Sequence, residues 1–296
     1  MGHSLRDLLI LASLALPACA TRLSTIPDQG PEQRAATYRI LKDVAYGADA
    51  EQTADIHLSR TASSYGSRNY TIVFLHGGGY YLSDKAAEER YITPYLEKGL
   101  NVVNLNYRLK RGVATATSDL STALNFLKEN NGEYGLDLTN VVVTGFSAGG
   151  NIAMNRALSL NDDRFPDRVD QGIDIVAAID FAGPVELGMV ERIFVDHDNE
   201  LMRKVGNALF PSDGYEKPEV VAVFDPVTYF DEQDPPVFLW HGGRDTQVPP
   251  ETFTAFEAKL REGKDVRVFL TEAGHSPDEQ ELRDAYARVF RFLDDL

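Results

Sequence analysis

From Arg39 to Tyr46 and from Ala54 to Ser59, apolar and polar residues alternate. This is the period of antiparallel strands with one wet face at the edge of a sheet. The pattern then changes to continuous apolar runs at Ile72–Leu75, Val102–Leu105, Val141–Val143, Ile173–Ile179, Val237–Trp240 and Val266–Leu270. Each is short enough for a strand buried on both faces, and six of them imply a mostly parallel sheet. Between the runs the period becomes helical. Leu120, Ala123, Leu124 and Leu127 share one face, as do Leu282, Ala285, Tyr286, Val289, Phe290 and Leu293, and Asn151 to Leu160 is helix-compatible. Strand and helix alternate, which predicts an α/β chain with helices on both faces of the sheet. One stretch breaks the rhythm. Residues 184–224 have weak helical patterning and the turn cluster Pro211–Ser212–Asp213–Gly214, and they read as a small cap excursion over the site, within one domain spanning 38–296.

The N-terminus follows another pattern. After Arg6 comes an apolar stretch, Leu8 to Leu16, then Pro17–Ala18–Cys19–Ala20. That is a secretory signal pattern over residues 1–19, too short to span a bilayer. Its end has two readings: ordinary cleavage at Ala18-x-Ala20, or a Leu16–Pro17–Ala18–Cys19 sequence resembling a bacterial lipobox, with Cys19 lipidated. Residues 20–37, with Pro27, Gly30 and Pro31, read as a linker. The expected location is outside the cytoplasm: periplasmic, lipid-anchored at the outer membrane, or secreted.

Composition narrows the classes. At 296 residues and 43% hydrophobic content the chain can bury one large core. A balance of 29 Lys+Arg against 45 Asp+Glu, net −16, repels polyanions and argues against nucleic acid as a partner. Cys19 is the single cysteine, so the mature chain has no internal disulfide and no thiolate metal site.

Two glycine motifs carry the candidate chemistry. Gly145–Phe146–Ser147–Ala148–Gly149 follows one apolar run and precedes a helical segment, the context in which a tight strand-to-helix turn exposes a serine nucleophile. His76–Gly77–Gly78–Gly79 follows an earlier run, where the amides of Gly78 and Gly79 can join that of Ala148 as donors to a developing oxyanion. His76 itself reads as support for this loop, not as the base. The base is expected late in the chain, at His275 in Ala273–Gly274–His275. Asp245, after the strand run ending at Trp240, is the expected acid, with Asp225, Asp231, Asp234 and Glu272 as rivals. Ser147, Asp245 and His275 stand in the order nucleophile, acid, base. Tyr80 and Tyr81 are candidates for the substrate pocket. His57, His241 and His197 are set aside, the last despite its Asp196–His197–Asp198 spacing, and no metal site or cofactor is expected.

Together with Tyr46–Gly47, Asp55–Ile56, Asn106–Tyr107–Arg108–Leu109 and Asp225–Pro226–Val227, these motifs resemble the α/β-hydrolase superfamily. The resemblance runs from about Tyr46 to Phe292 and is to its HGGG-type carboxylesterases, feruloyl-esterase-like (BD-FAE) and hormone-sensitive-lipase-like. It implies an exported serine carboxylesterase acting on short-chain or carbohydrate-linked esters, a small-molecule ester or ester-decorated carbohydrate as partner, and no cofactor. The short excursion points to an open site rather than one built for long-chain lipids. Amide hydrolysis, as an arylformamidase or a peptidase of the same fold, is the rival activity, and a catalytically silent binding module is the rival of another class. Oligomeric state is left open.

Overall fold

The computed structural model describes residues 37–60, 69–194, 197–210, 215–253, 256 and 266–296. The signal segment, Cys19 and all of the linker but its last residue lie outside the described residues. The strands are β1 (Tyr38–Ala45), β2 (Thr53–Ser59), β3 (Thr71–Leu75), β4 (Asn101–Leu105), β5 (Val141–Phe146), β6 (Ile175–Phe181), β7 (Val237–Gly242) and β8 (Val266–Thr271). They form one sheet in the order β1-β2-β4-β3-β5-β6-β7-β8. β1 and β2 pair antiparallel, as do β2 and β4, and all other pairings are parallel. Each of the six apolar runs falls on a parallel strand, although the run from Ile173 begins two residues before β6, and the architecture is that of an α/β hydrolase.

β2 departs from the edge-strand reading. It lies between β1 and β4, and its polar positions Asp55 and His57 are buried. Asp55 is neutralised by Lys42 at 3.2 Å and Lys85 at 3.4 Å, so the alternation that marks a wet face here marks buried ion pairing. β1, at the sheet edge, is exposed along much of its length.

The main helices are α1 (Glu89–Glu97), α2 (Gly112–Glu129), α3 (Ala148–Leu158), α4 (Leu187–Phe194), α5 (Glu200–Leu209), α6 (Lys217–Phe224) and α7 (Glu279–Asp294). α2 and α3 contribute to the core on one face of the sheet, α1 and α7 to the core on the other. α7 starts with a reciprocal cap, Asp278 accepting from the Glu281 amide and Glu281 from the Asp278 amide. α1 escapes the sequence reading because Pro94 sits inside its nine residues, although Tyr91, Ile92, Tyr95 and Leu96 form a buried stripe. None of the described helices is long and apolar enough to cross a membrane.

The excursion between β6 and β7 is more ordered than its pattern suggests. It holds α4, α5 and α6, each only two or three turns long. Their apolar side chains Val190, Phe194, Leu209, Val220 and Phe224 join the same core as α2 and α3. Asp225 closes the base of this segment, its carboxylate accepting from the Val227 amide at 3.2 Å and the Leu187 amide at 3.1 Å.

Candidate active site

The His76–Gly79 loop, Ser147, Asp245 and His275 sit just beyond the carboxyl ends of β3, β5, β7 and β8, where parallel sheets of this kind place ligand sites. Ser147 joins β5 to α3 with φ 54° and ψ −119°, a backbone conformation that L-residues rarely adopt. It is held there: the Ser147 amide donates to the Phe181 carbonyl at 2.7 Å. Gly149 lets α3 press against the end of β3, since a Cβ on it would lie 2.1 Å from the Leu75 carbonyl oxygen. Asp180, beneath this turn, accepts from the Gly183 amide at 2.7 Å, and burial pushes its carboxyl up to about 7.

His275 follows β8 and meets both partners. Its Nε2 lies 3.0 Å from Ser147 Oγ and its Nδ1 2.7 Å from Asp245 Oδ2. The carboxylate at Nδ1 favours the tautomer with its proton there, leaving Nε2 free to accept from the hydroxyl. Asp245 Oδ1 accepts from the amides of Gln247 and Val248, each at 2.8 Å. Burial alone would raise the Asp245 carboxyl, yet the hydrogen bonds from His241, His275 and the Val248 amide hold it well below the usual carboxylate range. The four rival acids make no such contact: among the described residues, only Asp245 reaches His275 with a carboxylate within 4 Å.

The glycine loop faces the same hydroxyl. Gly78 has φ 98° and Gly79 φ 62°, and a Cβ on Gly78 would lie 1.9 Å from the Leu82 carbonyl oxygen, so only glycine fits this turn. No acceptor among the described residues takes the amide protons of Gly78, Gly79 or Ala148. His76 is buried and stacks on Tyr107 at 4.4 Å, while its Nδ1 donates to the Gly77 carbonyl at 2.7 Å. Burial lowers its imidazole to about 4, so it stays neutral and props the loop. Tyr107 adds a second prop, its hydroxyl donating to the carbonyls of His76 and Gly77 at 3.0 and 3.2 Å.

A cleft of about 200 Å³ opens over Ser147. Its wall is mostly apolar: Val190 and Phe194 of α4, and Leu201, Met202, Val205 and Leu209 of α5, face Phe146, Val248 and Leu82. α5 is therefore part of the site, a role its mixed sequence hides because Glu200, Arg203 and Lys204 interrupt the apolar stripe. Tyr80 lines the cleft, but its hydroxyl is already taken, donating to Asn151 Oδ1 at 2.6 Å. Asn151 in turn donates to the Pro184 carbonyl, tying the glycine loop and α3 to the start of the cap. Tyr81 does not line the cleft. The loop turns back at Gly78, whose carbonyl accepts from the amides of Tyr81 and Leu82, each at 3.1 Å. Tyr81 instead lies under the Lys110 ammonium, 5.1 Å from its ring centre, and Leu82 takes the place at the cleft.

A model of the BD-FAE family matches residues 55–260, well over half of the chain. The chain belongs to the BD-FAE family. Its family segment contains His76–Gly79, Ser147 and Asp245, whereas His275 lies beyond it and is brought to the site by β8. Among curated relatives, Esterase LipQ of Mycobacterium tuberculosis is 26% identical over 253 residues, which cover 82% of this chain and 57% of LipQ. The chain thus spans little more than half of that relative. Among solved structures, a truncated carbohydrate esterase from gut microbiota superposes with a TM-score of 0.71 at 21% identity, over 88% of this chain and 98% of that one. Esterase B of Lactobacillus rhamnosis, solved with a C6-C4 SN3 inhibitor, gives 0.70 at 17% identity over 88% and 90%. These likenesses place this BD-FAE chain in the α/β-hydrolase fold.

Proposed function

We propose that the protein is an exported serine carboxylesterase that hydrolyses short-chain or carbohydrate-linked carboxylic esters through an acyl-enzyme on Ser147. The observation that carries this reading is the unbroken contact from Ser147 through His275 to Asp245, set beside three amides that no acceptor among the described residues takes and an apolar cleft. Ser147 Oγ attacks the ester carbonyl as His275 Nε2 takes its proton, and the oxyanion forms against the amides of Gly78, Gly79 and Ala148. Collapse expels the alcohol with the proton returned by His275. Water, deprotonated by the same imidazole, then releases the acid and regenerates the serine.

The wall from α4 and α5 fits an aliphatic acyl group, while Gln247 and Ser276 give the cleft polar groups that a sugar hydroxyl can use. A series of p-nitrophenyl esters from acetyl to lauroyl, run beside methyl ferulate, acetylated xylan and an N-formyl anilide, tests the assignment. The expected kcat/KM peaks at short acyl chains and falls by about tenfold or more at lauroyl, and Met202→Trp moves the peak toward acetyl by filling the cleft. Faster turnover of the anilide than of every ester would overturn the esterase reading.

Export rests on the apolar segment Leu8–Leu16 and Cys19. The mass of the protein recovered from its native host's membranes is expected to correspond to a chain starting at lipidated Cys19. A start at Thr21 would remove the anchor while keeping export, and an intact Met1 would remove both.

A further inference from the structure

We propose that His241, outside the Ser147–His275–Asp245 relay, is a positioning residue that clamps the Asp245 turn and shares the charge of its carboxylate with His275. The inference rests on the esterase reading above. His241 is the penultimate residue of β7, buried and four residues before Asp245 across a Gly242–Gly243 turn. Its Nε2 lies 2.7 Å from the Val248 carbonyl oxygen. A carbonyl can only accept, so Nε2 carries the proton. The same nitrogen lies 3.4 Å from Asp245 Oδ2, the oxygen that also accepts from His275 Nδ1.

Two consequences follow from this geometry. Val248 donates its amide to Asp245 Oδ1 and lends its carbonyl to His241, so the strand end, the turn and the carboxylate close into one ring of contacts. The carboxylate cannot rotate without breaking several of them. Further, Oδ2 accepts from His275 Nδ1 at 2.7 Å and has His241 Nε2 at 3.4 Å, so His241 draws on part of the negative charge that would otherwise act on His275 alone. Among the described residues, the ionisable groups facing His241 include Asp245 on the turn, His275 beyond it through their shared oxygen, and Asp180 on the neighbouring strand β6, on whose carboxyl His241 acts electrostatically.

The test compares His241→Phe, which keeps a ring without a donor, with His241→Gln, which restores an N–H. Both are assayed on p-nitrophenyl butyrate from about pH 5 to 9, with competent sites counted by a fluorophosphonate label. In His241→Phe, kcat per labelled site is expected to fall by roughly 10- to 100-fold with KM changed less than about threefold. The acidic limb of kcat/KM is expected to move to higher pH, because the undivided carboxylate holds the proton on its partner imidazole more firmly. His241→Gln is expected to recover most of the rate and the position of the limb. A purely structural residue would lower the number of labelled sites and leave kcat per site and the limb where they were, and that result overturns the proposal. Should His241→Phe yield no folded protein, His241→Gln decides alone: a loss beyond about tenfold in kcat per site overturns the proposal, and a near-native rate and limb support it. Failure here leaves ester turnover by the unaltered protein intact, whereas turnover surviving in Ser147→Ala would sink the esterase reading itself.

Discussion

Ser147→Ala is expected to lower kcat for p-nitrophenyl acetate by on the order of 10⁴-fold or more, the scale seen when a hydrolase loses the nucleophile of a concerted relay. The effect is large because the hydroxyl is the group on which the other parts converge. His275 Nε2 reaches it at 3.0 Å, and the strained turn that carries it is anchored to β6 through the Phe181 carbonyl. Alanine keeps the backbone of that turn, including the Ser147 amide that donates to Phe181, so the loss belongs to the reaction and not to the fold. The neighbouring hydroxyl Ser276 also lines the cleft and is the natural control. Ser276→Ala should keep kcat within about threefold, as removal of a group outside the relay does. Steady-state rates, thermal melts and the mass of the acylated Ser147 peptide under rapid quench together test the assignment. Substantial turnover by folded Ser147→Ala, or acyl mass on another residue, would refute it.

What the sequence makes legible here follows from which interactions are local. Parallel strands buried on both faces leave continuous apolar runs, so β3 to β7 can be read directly, whereas β8 carries such a run at the sheet edge, with Leu270 exposed. The elbow and the glycine loop are legible because a backbone forced to positive φ, or pressed against a carbonyl, selects glycine at fixed spacing: a Cβ would collide at Gly78 and Gly149. Order along the chain then points to Asp245 and His275, although 128 residues separate His275 from Ser147. The unread parts depend on tertiary partners. Asp55 looks like a wet strand position until Lys42 and Lys85 arrive from elsewhere in the chain. α5 has an apolar stripe too short and too interrupted to stand out, and it earns its place only by packing over the site. The separate fates of Tyr80 and Tyr81 turn on a reversal at Gly78 that spacing does not reveal. His241 resembles any histidine at a strand end until the Asp245 turn folds back against it.

Asp245→Asn should cost about 10⁴-fold in kcat, whereas Asp225→Asn should leave kcat within about threefold, a contrast that separates the relay's acid from the buried acid at the base of the cap. The difference lies in what each carboxylate faces. Asp245 meets donors on both oxygens: the Gln247 and Val248 amides on Oδ1, and His275 with the more distant His241 on Oδ2. An asparagine offers one acceptor oxygen, so either orientation of its amide sets NH₂ against N–H groups. If the NH₂ faces His275, the imidazole moves its proton to Nε2 to accept from it and can no longer take the proton of Ser147. Because Asp245 is held well below the usual carboxylate range, it stays ionised across the assay range, and the defect should persist at every pH tested near neutrality. Asp225 has a different environment. Burial pushes its carboxyl up to about 6, and it binds two backbone amides where the cap leaves and rejoins the sheet. Asparagine there loses one of two contacts to the amides, an effect on the order of 1–3 kcal/mol that should appear as a lower Tm with the reaction preserved. Paired kcat and Tm measurements distinguish the two sites, and a kcat loss in Asp225→Asn equal to that in Asp245→Asn would transfer the role of triad acid away from Asp245.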